Sequence, residues 1–173
     1  MNNTQLHKCF SAIRNGDKAA FECLYNDMRI PVFTVICRIT RNKDIAEDVM
    51  QELFIKLYCS PPNADIENLR AWIFKTAHNL AVDSIKKPEF HDLSENLEDE
   101  KLPIDEFIGI KLDIEKAMLM LDLDKREIVS LRLNASLKFR EIASIMSLPI
   151  GTVLFRYQKA IGKLRKCLSG GNL

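Results

Sequence analysis

The sequence predicts an all-α protein made of two small helical domains joined by an acidic flexible linker, and three observations lead there. Apolar residues recur at helical spacing in one segment after another. Turn signals at Asn15-Gly16-Asp17, Ser60-Pro61-Pro62-Asn63 and Leu148-Pro149 cut those segments into helix-sized lengths. Charge is strongly segregated beneath a net of only +1. Residues 1–88 carry 12 Lys/Arg against 10 Asp/Glu, residues 89–124 carry 3 against 12, and residues 125–173 carry 10 against 2. The expected organisation is a domain over 1–88, an acidic linker over 89–109 and a second domain over 110–173. A chain of 173 residues has room for two such domains, each with a thin core. No apolar run approaches the roughly 18 residues of a membrane span. The opening MNNTQLHKCF lacks the charged-then-apolar layout of a secretion signal, so a cytoplasmic location is expected.

Residues 4–28 read as an amphipathic helix pair broken at Asn15-Gly16-Asp17, with Phe10, Ile13, Phe21, Leu24 and Tyr25 facing a core. Pro31 suits a first helical turn, so a further apolar helix is expected from there to Thr40. Val32 to Ile36 alone would also suit a strand, but no partner strand is evident. The clearest helix is 44–58, DIAEDVMQELFIKLY, with Ile45, Ala46, Val49, Met50, Leu53, Phe54 and Leu57 in one wide apolar stripe. Its other face carries Glu47, Asp48, Gln51 and Glu52, with Ile55 among them. Solvation alone explains a charged outer face; an apolar residue inside an acidic patch is also how a protein-docking surface is composed.

A helix from Leu69 to Lys87 follows, holding the single tryptophan, Trp72, with Phe74 beside it and Arg70, Lys75, His78, Asn79, Lys86 and Lys87 interleaved. Aromatics alternating with cations suit single-stranded nucleic acid, where bases stack on rings and cations hold phosphates. Trp72 equally suits a core anchor. The acidic stretch 89–109 reads as a solvated spacer, and such a strand could also occupy a basic channel built for nucleic acid. From Ile110 the helical pattern resumes through Leu112, Ala117, Leu119 and Leu121. Asp124-Lys125-Arg126-Glu127 reads as a capping box opening a helix from Lys125 to Leu133, closed near Asn134 in a left-handed cap.

The last segment, LKFREIASIMSLPIGTVLFRYQKAIGKLRKCL, splits at Leu148-Pro149. Phe139, Ile142, Ala143 and Met146 share one helix face before the break. Val153, Tyr157, Ala160, Ile161 and Leu164 share one after it, with Gly151 or Thr152 as the start signal. Small Ala143 lies where the two helices would cross. The bare pattern fits a helical hairpin or a helix-turn-helix equally well, and the basic charge of 125–173 favours the latter.

Little in the sequence suggests catalysis. Cys9, Cys23, Cys37, Cys59 and Cys167 form no CxxC pair, and the histidines His7, His78 and His91 are scattered. No nucleophile and base stand at a recognisable spacing, and no glycine-rich phosphate loop occurs. An enzyme is not expected, nor a cofactor, metal ion or small-molecule substrate.

Three stretches, DIAEDVMQELFIKLY, LRAWIFKTAHNLAVDSIKK and REIVSLRLNASLKFREIASIMSLPIGTVLFRYQKAIGKLRK, resemble in their order and spacing an extracytoplasmic-function (ECF) sigma factor of bacterial RNA polymerase. The resemblance covers nearly the whole chain. It implies that the helix over 44–58 docks on the clamp of the polymerase largest subunit through Asp48, Gln51, Glu52, Phe54 and Ile55. It implies that the helix over 69–87 engages the −10 element, where a flipped base is captured, with Trp72, Lys75, Asn79 and Lys86 as contacts. It implies that the final helix reads the −35 element, with Arg132, Thr152, Leu154, Phe155, Arg156, Gln158 and Lys159 on bases or phosphates. The acidic linker would thread toward the RNA exit channel, and an anti-sigma factor would be a partner besides core polymerase and promoter DNA. Three positions depart from the family pattern. Leu154-Phe155 replaces a Lys or Arg followed by Ser, so an Arg-to-guanine contact is lost while thymine methyls remain within reach. Ser147 replaces a turn glycine, and Lys138 stands where a capping Ser is common. The competing expectation is a helix-turn-helix repressor or activator that binds a palindromic duplex without polymerase. A helical adaptor that binds no DNA fits the basic C-terminal segment poorly.

Overall fold

The computed structural model describes residues 1–86 and 112–169. Among them every regular element is a helix. They belong to two compact units, one on each side of residue 100. The linker expected over 89–109, together with Lys87 and Ile110, lies outside the described residues.

In the first unit α1 spans Asn3–Arg14, α2 Lys18–Thr40, α3 Lys43–Cys59 and α4 Leu69–Lys86. Each start is fixed by a side chain that satisfies a free amide of the first turn. Asn2 accepts from the Gln5 amide at 2.9 Å while Gln5 accepts from the Asn2 amide at 2.8 Å, a complete capping box. Asp17 accepts from Ala20, Asn42 from Ile45 and Asn68 from Ala71, at 3.1, 3.0 and 3.0 Å. Gly16 turns the chain between α1 and α2 at φ 84°, where a residue without Cβ meets no steric penalty.

The expected break at Pro31 is absent, because α2 is one helix of 23 residues with Pro31 in its interior. An interior proline costs about 3 kcal/mol. Packing on three sides outweighs that cost: every residue from Val32 to Thr40 is buried, and α2 touches α1, α3 and α4. Each fully buried Val or Ile in that run contributes roughly 1.5–3 kcal/mol. The same burial explains why 32–36 is helix, since no sheet exists among the described residues to receive a strand. Around α2 the core is filled by Leu6 and Phe10 of α1, Leu53 and Leu57 of α3, and Ile73 and Phe74 of α4.

In the second unit α5 spans Leu112–Leu119, α6 Leu123–Leu133, α7 Phe139–Ile145 and α8 Ile150–Ser169. Three expectations are corrected here. Helix α6 starts after Asp122, and no capping box joins Asp124 to Glu127. Asp124 faces out to Arg156 and Glu127 is buried. The left-handed residue after α6 is Ser136 (φ 55°), whereas Asn134 stays right-handed. Leu119 is exposed, and Met118 takes the core place beside Leu121, Val129 and Ala160.

Arg126 is buried at the junction of α5 and α6. Its guanidinium donates to the carbonyls of Met118, Leu119 and Leu121, each at 2.9 Å, and so satisfies the free end of α5. The turn from α7 to α8 closes with the Leu148 amide on the Ala143 carbonyl at 3.0 Å, which requires Ser147 at φ 53°. Lys138 precedes α7 without a side-chain cap, but its amide donates to Glu141 at 2.7 Å, half of a capping box. Helix α8 begins at Ile150, just ahead of the Gly151 or Thr152 start expected, because the Pro149 carbonyl already accepts from Thr152 and Val153.

Candidate protein and nucleic-acid interfaces

Helix α3 buries Ala46, Val49, Leu53, Phe54 and Leu57 against α2 and α4, which turns Asp48, Gln51, Glu52 and Ile55 to solvent. Ile55 is 55% exposed. Phe54, expected beside them on the same surface, is only 4% exposed. Its ring meets Phe21 edge-on at 6.4 Å and Tyr25 at 4.8 Å, so it supports the surface from beneath. A groove of about 440 Å³ runs beside Ile55, lined by Phe21, Tyr25, Met50, Gln51, Phe54, Ile55, Tyr58 and Cys59. Phe21 and Tyr58 stand edge-on at 4.9 Å. Sequence reasoning missed this aromatic wall; the four-residue spacing of Phe21/Tyr25 and of Phe54/Tyr58 was its only signal.

Helix α4 buries Leu69, Ile73, Phe74, Ala77 and Ala81. Trp72, Lys75, Asn79 and Lys86 follow at offsets of three, seven and fourteen, all on one side of the helix. Lys75, Asn79 and Lys86 are exposed and Trp72 is half-buried. Nδ1 of His78 lies 3.3 Å from the Asn79 amide oxygen. The start of α4 is clamped by α1, whose Asn3 accepts from the Leu69 amide at 2.9 Å. Arg70 does not join the exposed cations: it donates to the Met1 carbonyl at 3.2 Å and lies 5.6 Å from the Phe74 ring centre. Burial lowers its pKa from the ordinary arginine value, and Asp27 opposes that shift.

On α8, Val153 and Ala160 are buried and Tyr157, Ile161 and Leu164 half-buried, so Leu154, Phe155, Gln158 and Lys159 point outward and Thr152 is half-exposed. Two cations expected to meet DNA have partners within the unit. Arg156 pairs with Asp124 at 2.5 Å. Arg132 donates to the Leu137 carbonyl at 2.8 Å and stacks 5.0 Å from the Phe139 ring, tying α6 to the turn before α7. At the start of α6, a hydrogen bond and the charge of Lys125 hold the Asp122 carboxyl below its ordinary pKa.

Residues 24–89 match the model of the Sigma-70 region 2 family. Over 94% of this chain and 96% of its own, the ECF RNA polymerase sigma factor SigW of Bacillus subtilis is 28% identical. The ECF RNA polymerase sigma-E factor of Haemophilus influenzae is 29% identical over 86% of this chain and 87% of its own. The chain thus carries a sigma-70 region 2 match and is similar to ECF sigma factors along most of its length. Solved structures share the fold. CnrH in complex with the cytosolic domain of CnrY aligns at TM-score 0.65 and 18% identity, covering 96% of this chain and 98% of that one. The sigma factor RpoE in complex with the anti-sigma factor NepR from Bartonella quintana aligns at 0.62 and 19%, covering 86% and 98%. The region 2 match contains all of α3 and α4, hence the faces described on those two helices. No helix among the described residues is long and apolar enough to cross a membrane.

Proposed function

We propose that this chain is an ECF sigma factor that binds core RNA polymerase through α3, opens and holds the −10 element on α4, and reads the −35 element with α8. One observation carries the reading. The region matching sigma-70 region 2 folds into a unit bearing two exposed faces of different chemistry, an acidic one centred on Ile55 and a Trp-Lys-Asn-Lys one on α4. The first suits docking on a basic, apolar-tipped partner, here the clamp of the largest subunit. The second offers an aromatic flank for an unstacked base, an amide to read its edge and cations for the flanking phosphates. Strand opening follows from capture: an unpaired base held on α4 is removed from the equilibrium that would re-form the duplex. The protein supplies position and the polymerase supplies the chemistry, so no catalytic group, cofactor or small-molecule substrate is assigned to this chain.

Residues 1–88 form the region 2 domain, 89–109 the acidic linker and 110–173 the region 4 domain in this reading, acting in the cytoplasm with the polymerase. A free protein of this kind would engage polymerase and promoters without control. The RpoE–NepR structure supports an anti-sigma factor as a further partner. Co-purification from the native host should return a partner besides core polymerase; recovery of core polymerase alone would count against it.

The reading is tested by run-off transcription with core polymerase on a promoter panel. The protein should create defined starts that vanish when Asp48 and Gln51 are replaced by Arg. Tight binding to a free duplex with no transcription would point instead to a repressor or activator.

A further inference from the structure

We infer that this chain reads its −35 element through thymine methyl groups, with Leu154 and Phe155 as the residues that set specificity; the inference rests on the sigma reading above. The second helix of a helix-turn-helix places its N-terminal turns on base edges in the major groove. On α8 those turns face outward with Gly151, Leu154, Phe155 and Gln158. Leu154 is 37% exposed and Phe155 60%, so both present apolar surface to solvent. Large apolar side chains at a reading edge carry no donor for the O6 and N7 of guanine.

The two cations that follow on α8 have partners within the unit. Arg156 is held at 2.5 Å by Asp124, to the flank of this edge. The Lys159 ammonium lies 5.5 Å from the Phe155 ring centre, where it steadies the ring and leaves its charge for a phosphate. The one apolar feature a base pair shows in the major groove is the thymine C5 methyl. Gln158, one helical turn beyond Leu154, suits the N6 and N7 of adenine. The matching element has thymines at adjacent positions with adenine beside them, and no fixed guanine opposite 154–155.

The test uses holoenzyme assembled from the full chain and core polymerase. Transcribed members are selected from a promoter library randomised through the −35 region, and binding is then measured after replacing each enriched thymine by deoxyuridine. Thymine enrichment is expected, with about a fourfold loss of affinity for each methyl removed. Leu154→Ala should abolish the loss at one position and leave it at the neighbouring one. Guanine fixed at these positions, or binding indifferent to deoxyuridine, would overturn the inference. If no library member yields a defined start, the sigma reading itself has failed. The same library is then selected with the full chain alone as a duplex binder, and thymine enrichment or its absence decides this inference independently.

Discussion

Phe54 and Ile55 are adjacent in sequence and face opposite ways, and the two residues divide a surface into its support and its contact. Phe54 is enclosed by Phe21 and Tyr25, so Phe54→Ala removes core contacts and leaves a cavity, at a cost of about 3–5 kcal/mol. Ile55→Ser touches solvent and should alter stability by no more than about 0.5 kcal/mol. The expected outcome is a crossed result: urea unfolding detects Phe54→Ala and misses Ile55→Ser, whereas holoenzyme assembly with core polymerase is weakened by Ile55→Ser in a soluble, folded protein. Equal loss of assembly and of stability in both variants would show that Ile55 belongs to the fold. Burial at this grain was only partly legible. The apolar stripe of 44–58 placed Phe54 inside and the resemblance placed it at the interface; the ring is 4% exposed and lines the groove beside Ile55. Arg132 and Arg156 were legible as cations near the reading helix, but their partners Leu137, Phe139 and Asp124 depend on how α6 and α8 pack, which spacing does not encode.

Individual helices were legible to within a few residues wherever a polar cap preceded an apolar stripe. Asn42 shows why: its side chain closes the first turn of α3, and the stripe behind it fixes which face turns inward. Asn42→Ala should cost about 1 kcal/mol and Asn42→Asp far less, since aspartate keeps the acceptor. Because α3 carries the acidic face, the alanine variant should also lower polymerase affinity in proportion to fraying of the first turn, which amide hydrogen exchange of Ile45 would register. Two elements were misread, each for a physical reason. Pro31 carries a strong local signal to begin a helix, and burial of Val32–Thr40 on all sides overrode it. Asp124 and Glu127 carry the spacing of a capping box, yet Asp124 is committed to Arg156, and Arg126 satisfies the carbonyls at the end of α5 instead. Long-range partners decided both cases.

At the scale of the whole molecule, a net charge of +1 conceals a −9 stretch over 89–124 directly before a +8 stretch over 125–173. DNA binding by the basic stretch releases counterions from the phosphates, so affinity should fall with slope about −0.9 in log–log form for each phosphate neutralised. The acidic stretch is covalently held close to those same cations, and its carboxylates compete with phosphates at high effective concentration. Converting the eight Asp and Glu residues between Glu89 and Glu106 to Asn and Gln leaves every described helix untouched. It should raise the affinity of the free chain for a −35 duplex and steepen the salt dependence, because fewer cations are already paired before DNA arrives. The gain should be largest near 0.01 M salt, where screening extends to about 30 Å, and should fade toward 1 M, where it shrinks to about 3 Å. Fluorescence anisotropy across that range checks it. A gain that persisted at high salt would mean that the acidic segment acts by occupying space, not by charge.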